Sequence, residues 1–273
     1  MDTLRQVAVS RTHVQPEPIE SARVKIEILF GERVQVLEDG TEWVRVCTVL
    51  GEYEGFVRVK DLGEISEPTH RVSELMAPVY NESHFKSPSS AEPLYFNSLV
   101  TVEESRDTPE GLMHKLRRTG WVFDTELRDI NYRAPDFLLE ALKFLGTRYG
   151  YEKRGALIDC STLVQAGCIA AGISCPYDVK SGEMEQLGES VDFAADFSNL
   201  RRGDLVFWTQ RDEQHKGSHV GIMVDEENCF HATIADPHRK ALIQPLTEVA
   251  HDQARDNNGP ITKVRRFSDY RPS

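Results

Sequence analysis

GALIDCSTLVQAGCIAAGIS, residues 155–174, decides how the second half of the chain is read. Cys160, Leu163, Val164, Gly167, Cys168 and Ala171 recur at three- and four-residue spacing and form one apolar helical stripe. Asp159 suits the N-cap, where a carboxylate meets the free amides of a first turn, and Gly172 can stop the helix. Cys160 therefore falls at the first helical position. Pattern alone leaves two readings open. It is a small hydrophobe on a buried stripe, as Cys168 two turns on is read to be. Or it is a nucleophile, because the unpaired N–H groups and positive dipole end of a helix stabilise a thiolate. The second reading predicts a depressed thiol pKa and requires a partner base, which a histidine can supply.

Working outward, APDFLLEALKFLG (134–146) carries apolar residues at 137, 138, 141, 142 and 145, a second helix with Pro135 in its first turn and Gly146 as its stop. Downstream, GDLVFW (203–208), HVGIMV (219–224) and NCFHAT (228–233) read as successive strands. Helices first and an antiparallel sheet after them make an α+β plan. The turn between the last two strands decides whether two histidines can meet. A four-residue loop pairs His231 with Ile222 and faces it away from His219. A three-residue loop, or a bulge, pairs it with Gly221 and puts both rings on one face.

Residues up to about 130 have a different texture. Arg33-Val34-Gln35-Val36 and Trp43-Val44-Arg45-Val46 alternate apolar and polar positions, and EDGTE and GEYEG punctuate them as turns. Strands this short and closely spaced make a small barrel or sandwich. The succession LFGERVQVLE, WVRV, YEGFV and DLG resembles a bacterial SH3-like domain. A second copy runs from HRVSELMAPVYNE to RRTGWVFDTELRD, Gly120-Trp121-Val122 echoing Gly55-Phe56-Val57, with NESHFKSPSSAEP as a loop. Trp43 and Trp121 are read as core aromatics. The expected division is 1–66 and 67–130 as two small all-β SH3-like barrels, then 131–273 as one α+β domain.

Composition excludes several classes. The chain has 273 residues, 40% hydrophobic and 28% charged, the balance of a soluble globular protein. No apolar run approaches the roughly 18 residues of a membrane span. The formal charge of −12 disfavours nucleic acid and anionic membrane as partners. Five cysteines without CxxC spacing suggest neither a disulfide framework nor a zinc site, and the start lacks a secretory pattern, so a cytoplasmic location is expected. No HExxH, acidic metal cluster or phosphate loop is present, so no metal or other cofactor is expected.

Four words in order, Ile158-Asp159-Cys160-Ser161, RRGDLVFW, Ser218-His219-Val220-Gly221-Ile222 and Phe230-His231-Ala232, resemble the NlpC-type cell-wall peptidases, papain-like cysteine enzymes, over about residues 140–267. With SH3-like domains in front, the chain resembles the γ-D-glutamyl-L-diamino acid endopeptidases. That resemblance implies a papain-like catalytic domain, helices packed on an antiparallel sheet. In it Cys160 is the nucleophile, His219 the general base and His231 the residue that orients His219. It implies a murein peptide substrate such as L-Ala-γ-D-Glu-diamino acid, whose free amine Asp159 would meet, with Ser161 beside it. The alternative for Asp159 is that it is an N-cap only. Tyr149 is either an oxyanion donor or a core tyrosine, and Tyr53, in EYEGFV, is a candidate lid residue. Two rivals stand: an amidase or acyltransferase on the same Cys-His scaffold, and a non-catalytic murein-binding protein.

The sequence also departs from the family pattern. Thr162 stands where the family has glycine and is expected to crowd the helix start; Tyr151 replaces a tryptophan, and a substrate-holding arginine is replaced near Tyr177. His215 reads as solvated in a charged loop, and His238, His251, His114, His84, His70 and His13 have no matching context.

Overall fold

Alternating, turn-punctuated sequence gives strands and single 3-10 turns over the first 130 residues, and helices only beyond them. The computed structural model describes residues 3–89, 91–177, 182–209, 218–256 and 258–268; His215 lies outside them. By their contacts the residues fall into two units, Met1–Tyr132 with Glu152–Ala156, and Arg133–Tyr151 with Leu157–Ser273.

In the first unit, β1 (Thr3–Val7), β2 (Arg11–Val14), β3 (Ile26–Leu29), β4 (Arg33–Glu38), β5 (Trp43–Thr48), β6 (Glu54–Arg58) and β7 (Leu62–Gly63) are followed by a second set. That set is β8 (His70–Val72), β9 (Met76–Ala77), β10 (Leu94–Tyr95), β11 (Leu99–Val100), β12 (Val102–Thr108), β13 (Gly111–Leu116), β14 (Trp121–Phe123) and β15 (Leu127–Asp129). The first set forms a sheet in the order β6-β5-β4-β1-β7 beside the β2–β3 pair. The two sets repeat one plan at an offset of 65 positions (15 to 80, 56 to 121, 59 to 124, 6 to 71). Gln15 and Phe56 exchange two backbone hydrogen bonds, and so do Tyr80 and Trp121. A 3-10 turn follows each, at Val59–Asp61 and Asp124–Glu126, and a short strand then returns to the first strand of its set. There Gln6 pairs with Gly63, and Arg71 with Arg128. The glycines of the GFV/GWV echo have a steric reason: a Cβ at Gly55 would strike Gln15 O, and one at Gly120 would strike Tyr80 O. The sets share a core, since Phe30 packs with Val72, Leu94, Val100 and Leu127. Trp121 is buried as read, but Trp43 is only half-buried, its ring face 4.3 Å beneath the Arg58 guanidinium carbon. Its place on the intermediate face of β5 leaves the core to Val44 and Val46.

The first unit is also anchored by charge. Glu27 is fully buried on β3, and its carboxylate accepts from the backbone N–H groups of Arg154 and Gly155 at 3.0 and 2.9 Å. Arg11, Lys153 and His13 lie 3.2, 3.4 and 3.2 Å from its Oε1. Arg154 in turn pairs with Glu32 at 2.7 Å, both side chains buried. These bonds explain why Glu152–Ala156 belongs to this unit.

The second unit opens with α1 (Phe137–Leu142) and α2 (Cys160–Ala170). The α1 helix is shorter than the pattern predicts. Asp136 is its N-cap, accepting from Leu138 and Leu139 N–H, which leaves Pro135 outside, and the chain leaves the helix after Leu142. The sheet comprises β16 (Glu189–Ser190), β17 (Leu205–Trp208), β18 (His219–Met223), β19 (Asn228–Ala232), β20 (Ala241–Pro245) and β21 (Lys263–Arg266), in the order β16-β21-β17-β18-β19-β20, antiparallel throughout. Between β20 and β21 runs α3 (Leu246–Arg255). The α2 helix packs on α1, β18 and β19. Such enclosure buries ten of its eleven residues, so the single stripe read from the sequence is replaced by burial on every side. Val206, Trp208, Met223 and Cys229 form a core with Leu246 and Val249 of α3. In RRGDLVFW the charged residues brace the frame: Asp204 takes two bonds from Arg266, at 2.6 and 2.7 Å, and Arg202 reaches Asp136 at 2.7 Å.

Candidate active site

Asp159 starts α2 by a reciprocal cap. Its Oδ1 accepts from Thr162 N–H at 2.9 Å, and its own N–H donates to Thr162 Oγ1 at 3.0 Å. Thr162 thus does not crowd the helix start; it closes the cap, because its hydroxyl turns back to the N-cap backbone. Ser161 Oγ donates to the same Asp159 Oδ1 at 3.1 Å, which binds Asp159, Ser161 and Thr162 into one local network. Cys160 is the first residue of the helix and is 7% exposed. Cys168 is fully buried.

The hairpin after β18 has the tight connection. Val224 N–H donates to Asn228 O at 2.9 Å, so only Asp225, Glu226 and Glu227 lie in the loop. Asp225 Oδ1 fastens it by accepting from the N–H groups of Glu227 and Asn228. Ile222 then pairs with Phe230 and Met223 with Cys229, which puts His231 across from Gly221. His219 and His231 are diagonal neighbours on one face, and His219 Nε2 sits 2.8 Å from His231 Nδ1 with the rings edge to face. Gly221 stands directly opposite His231. A Cβ there would strike Cys229 Sγ and lie 3.3 Å from His231 Cβ, so glycine leaves His231 its room in the pair.

Burial governs both imidazoles. His219 is pushed well below its ordinary pKa by burial and by the neighbouring His231, and the ring of Trp208 lies 5.5 Å from it. Burial takes His231 down to about 4, against the opposing hydrogen bond with Gln244. Both rings are therefore neutral at pH 7, the form in which an imidazole accepts a proton. His231 Nε2 lies 2.9 Å from Gln244 Oε1, and Gln244 Nε2 lies 3.5 Å from His238 Nε2.

Tyr149 forms a parallel bridge with Ile158, next to the start of α2, and its N–H donates to Arg239 O. Tyr53 belongs to the first unit, in the turn before β6, where its backbone is tied to Thr48. Tyr177 is buried and Tyr151 is 37% exposed. Sequence reading missed Gln244 and gave His238 no context; alternation along ALIQP puts 244 on the same face as 242, the signal by which Gln244 could have been found. Among the described residues, no group of three or more His, Cys, Asp or Glu side chains is arranged to hold a metal ion, and no helix is long and apolar enough to cross a membrane.

Residues 146–251 match the model of the NlpC/P60 family. The chain is 28% identical over 251 residues to the gamma-D-glutamyl-L-lysine dipeptidyl-peptidase of Bacillus cereus, covering 82% of this chain and 71% of that one. A solved NlpC/P60 family protein from Bacillus cereus superposes with a TM-score of 0.76 at 20% identity, over 97% of this chain and 99% of the other. A solved NlpC/P60 endopeptidase from Photobacterium damselae subsp. piscicida gives 0.58 at 10% identity, over 97% and 71%. These two likenesses show the shared fold.

Proposed function

We propose, on the footing of the match of residues 146–251 to the NlpC/P60 family, that the protein is a cysteine endopeptidase cutting the γ-D-glutamyl–diamino acid bond of free murein peptides. The observation that carries the reading is the 2.8 Å contact between two buried, neutral histidines in a unit whose α2 helix opens with Cys160. The name of the Bacillus cereus relative supports the bond chosen.

Cys160 gives its proton to His219, and the thiolate attacks the γ-glutamyl carbonyl. The oxyanion is held by the Cys160 N–H at the helix start, a donor that no intrahelical carbonyl can use. His219 protonates the departing amine, and water then releases the acyl group. Asp159 meets the free amine of an N-terminal L-alanine while its Oδ1 keeps the cap, with Ser161 alongside and Tyr149 donating toward the oxyanion. A peptide that must present a free amine is a fragment of the wall, which fits recycling in the cytoplasm.

Mass spectrometry of a digest of L-Ala-γ-D-Glu-L-Lys tests this, run with the amine free and acetylated. Release of lysine from the free peptide alone, with acetylation costing about 100-fold or more, is expected because a neutral amide gives up the charge-assisted contact of the ammonium with Asp159. Equal cleavage of the two peptides, or transfer of the acyl group to an added amine in place of hydrolysis, would overturn it.

A further inference from the structure

The buried polar chain does not end at His231. Gln244 on β20 pairs with Cys229 on β19, two residues from the partner of His231, so it is the next diagonal neighbour on the same face. It is 8% exposed. An amide oxygen only accepts, so the 2.9 Å contact of Gln244 Oε1 requires His231 Nε2 to carry a proton and donate it. His231 Nδ1 then has a lone pair, and His219 Nε2–H donates to it across 2.8 Å. One outcome remains for His219: its Nδ1 is the nitrogen without a proton. The amide is itself oriented, since its NH2 end faces His238 Nε2 at 3.5 Å.

We propose that Gln244 is a positioning residue that fixes the tautomers of both histidines and thereby keeps His219 Nδ1 as the base. This rests on the catalytic reading of Cys160, His219 and His231. Without an acceptor at 244, His231 can carry its proton on Nδ1 instead. Two N–H groups then oppose each other across the histidine contact, and His219 no longer presents a single basic nitrogen.

Gln244→Met keeps the length and apolar volume and removes the acceptor; Gln244→Glu keeps an acceptor. In the Met variant kcat on the tripeptide should fall about 10- to 100-fold with KM little changed. The pH profile of Cys160 alkylation by iodoacetamide should move to higher pH. Two-bond ¹H–¹⁵N spectra should show a single Nε2–H tautomer for His231 in the wild type and a mixture in the Met variant. The Glu variant should keep the single tautomer and most of kcat, a rescue that a packing role does not give. The proposal is overturned if the Met variant matches wild type in kcat, alkylation profile and tautomer. It is equally overturned if the Met and Glu variants are impaired alike with the tautomer unchanged. Failure of the underlying reading shows elsewhere, as Cys160→Ala or His219→Ala protein that still cleaves, and the proposal then falls with it.

Discussion

A buried polar cluster in the first unit, around Glu27, and one in the second, around His231, have opposite fates. Around Glu27 burial alone would push the carboxyl up, yet His13, the Arg154 N–H, Lys153 and Arg11 outweigh it and hold the group at about 2. Around His231 burial prevails, and the ring is held at about 4 with a glutamine and a second histidine for partners. Equal burial thus fixes an ion in one place and a neutral base in the other, and the partners decide which. The first arrangement suits an anchor, here for residues 152–156; the second suits proton transfer at neutral pH.

The largest expected effect separates the two. Cys160→Ala should lower kcat/KM by a factor of about 10⁴ or more while the melting temperature stays within a few degrees, because the change removes one sulfur at a helix start and leaves the Asp159 cap intact. Iodoacetamide at neutral pH should label Cys160 before the fully buried Cys168. Retained activity, or equal labelling of both, would end the assignment.

Glu27→Gln is the converse. It leaves Arg11 and Lys153 facing a neutral amide in a buried site, at a cost of about 3 kcal/mol or more. Hydrogen exchange should speed up in β3 and in residues 152–156 before it does in α2. Uniform loosening of both units would show that the ion cluster is no local anchor.

Much of this was legible in the sequence because local chemistry wrote it there. Asp159 before an apolar helical run gave the cap, and the short apolar words GDLVFW, HVGIMV and NCFHAT gave β17, β18 and β19. The three-residue loop could be named as a condition of the histidine contact, since strand facing is a parity rule, but DEEN alone does not choose between loops. The shortening of α1 was not legible: Asp136 and Pro135 compete for the same turn, and the Arg202 partner of Asp136 lies 66 positions on. Neither was the cluster at Glu27, assembled from β2, β3 and a segment some 125 residues later, nor Gln244, whose role depends on a pairing register and not on its neighbours in the chain.

The pH dependence of stability sharpens the contrast. A histidine whose pKa is depressed on folding contributes stability that is complete above its unfolded value near 6.5 and is lost as pH falls through about 4, worth about 3 kcal/mol for His231, and His219 acts in the same direction. Glu27 contributes a similar amount that is complete above about 4.5 and is lost only as pH falls through about 2. Acid should therefore weaken the second unit first. Urea titrations at pH 7, 5 and 3.5 can follow Trp208 alone in a Trp43→Phe/Trp121→Phe protein, and the first unit in Trp208→Phe. A midpoint for Trp208 that does not move between pH 7 and 5 would contradict the neutral, buried pair.

The smallest change tests the room left to His231. In Gly221→Ala the new Cβ meets Cys229 Sγ, and such overpacking costs about 1–3 kcal/mol. Adding Cys229→Ala removes the sulfur and should return most of that stability, so the two substitutions should be strongly non-additive. The same Cβ would still lie 3.3 Å from the Cβ of His231, the partner of His219, and the second substitution does nothing about that. Stability and chemistry should therefore part company in the double variant: the melting temperature recovers, while kcat stays roughly 10-fold or more below wild type. If kcat recovers along with the melting temperature, the glycine at 221 serves packing against Cys229 and not the placing of His231 beside His219.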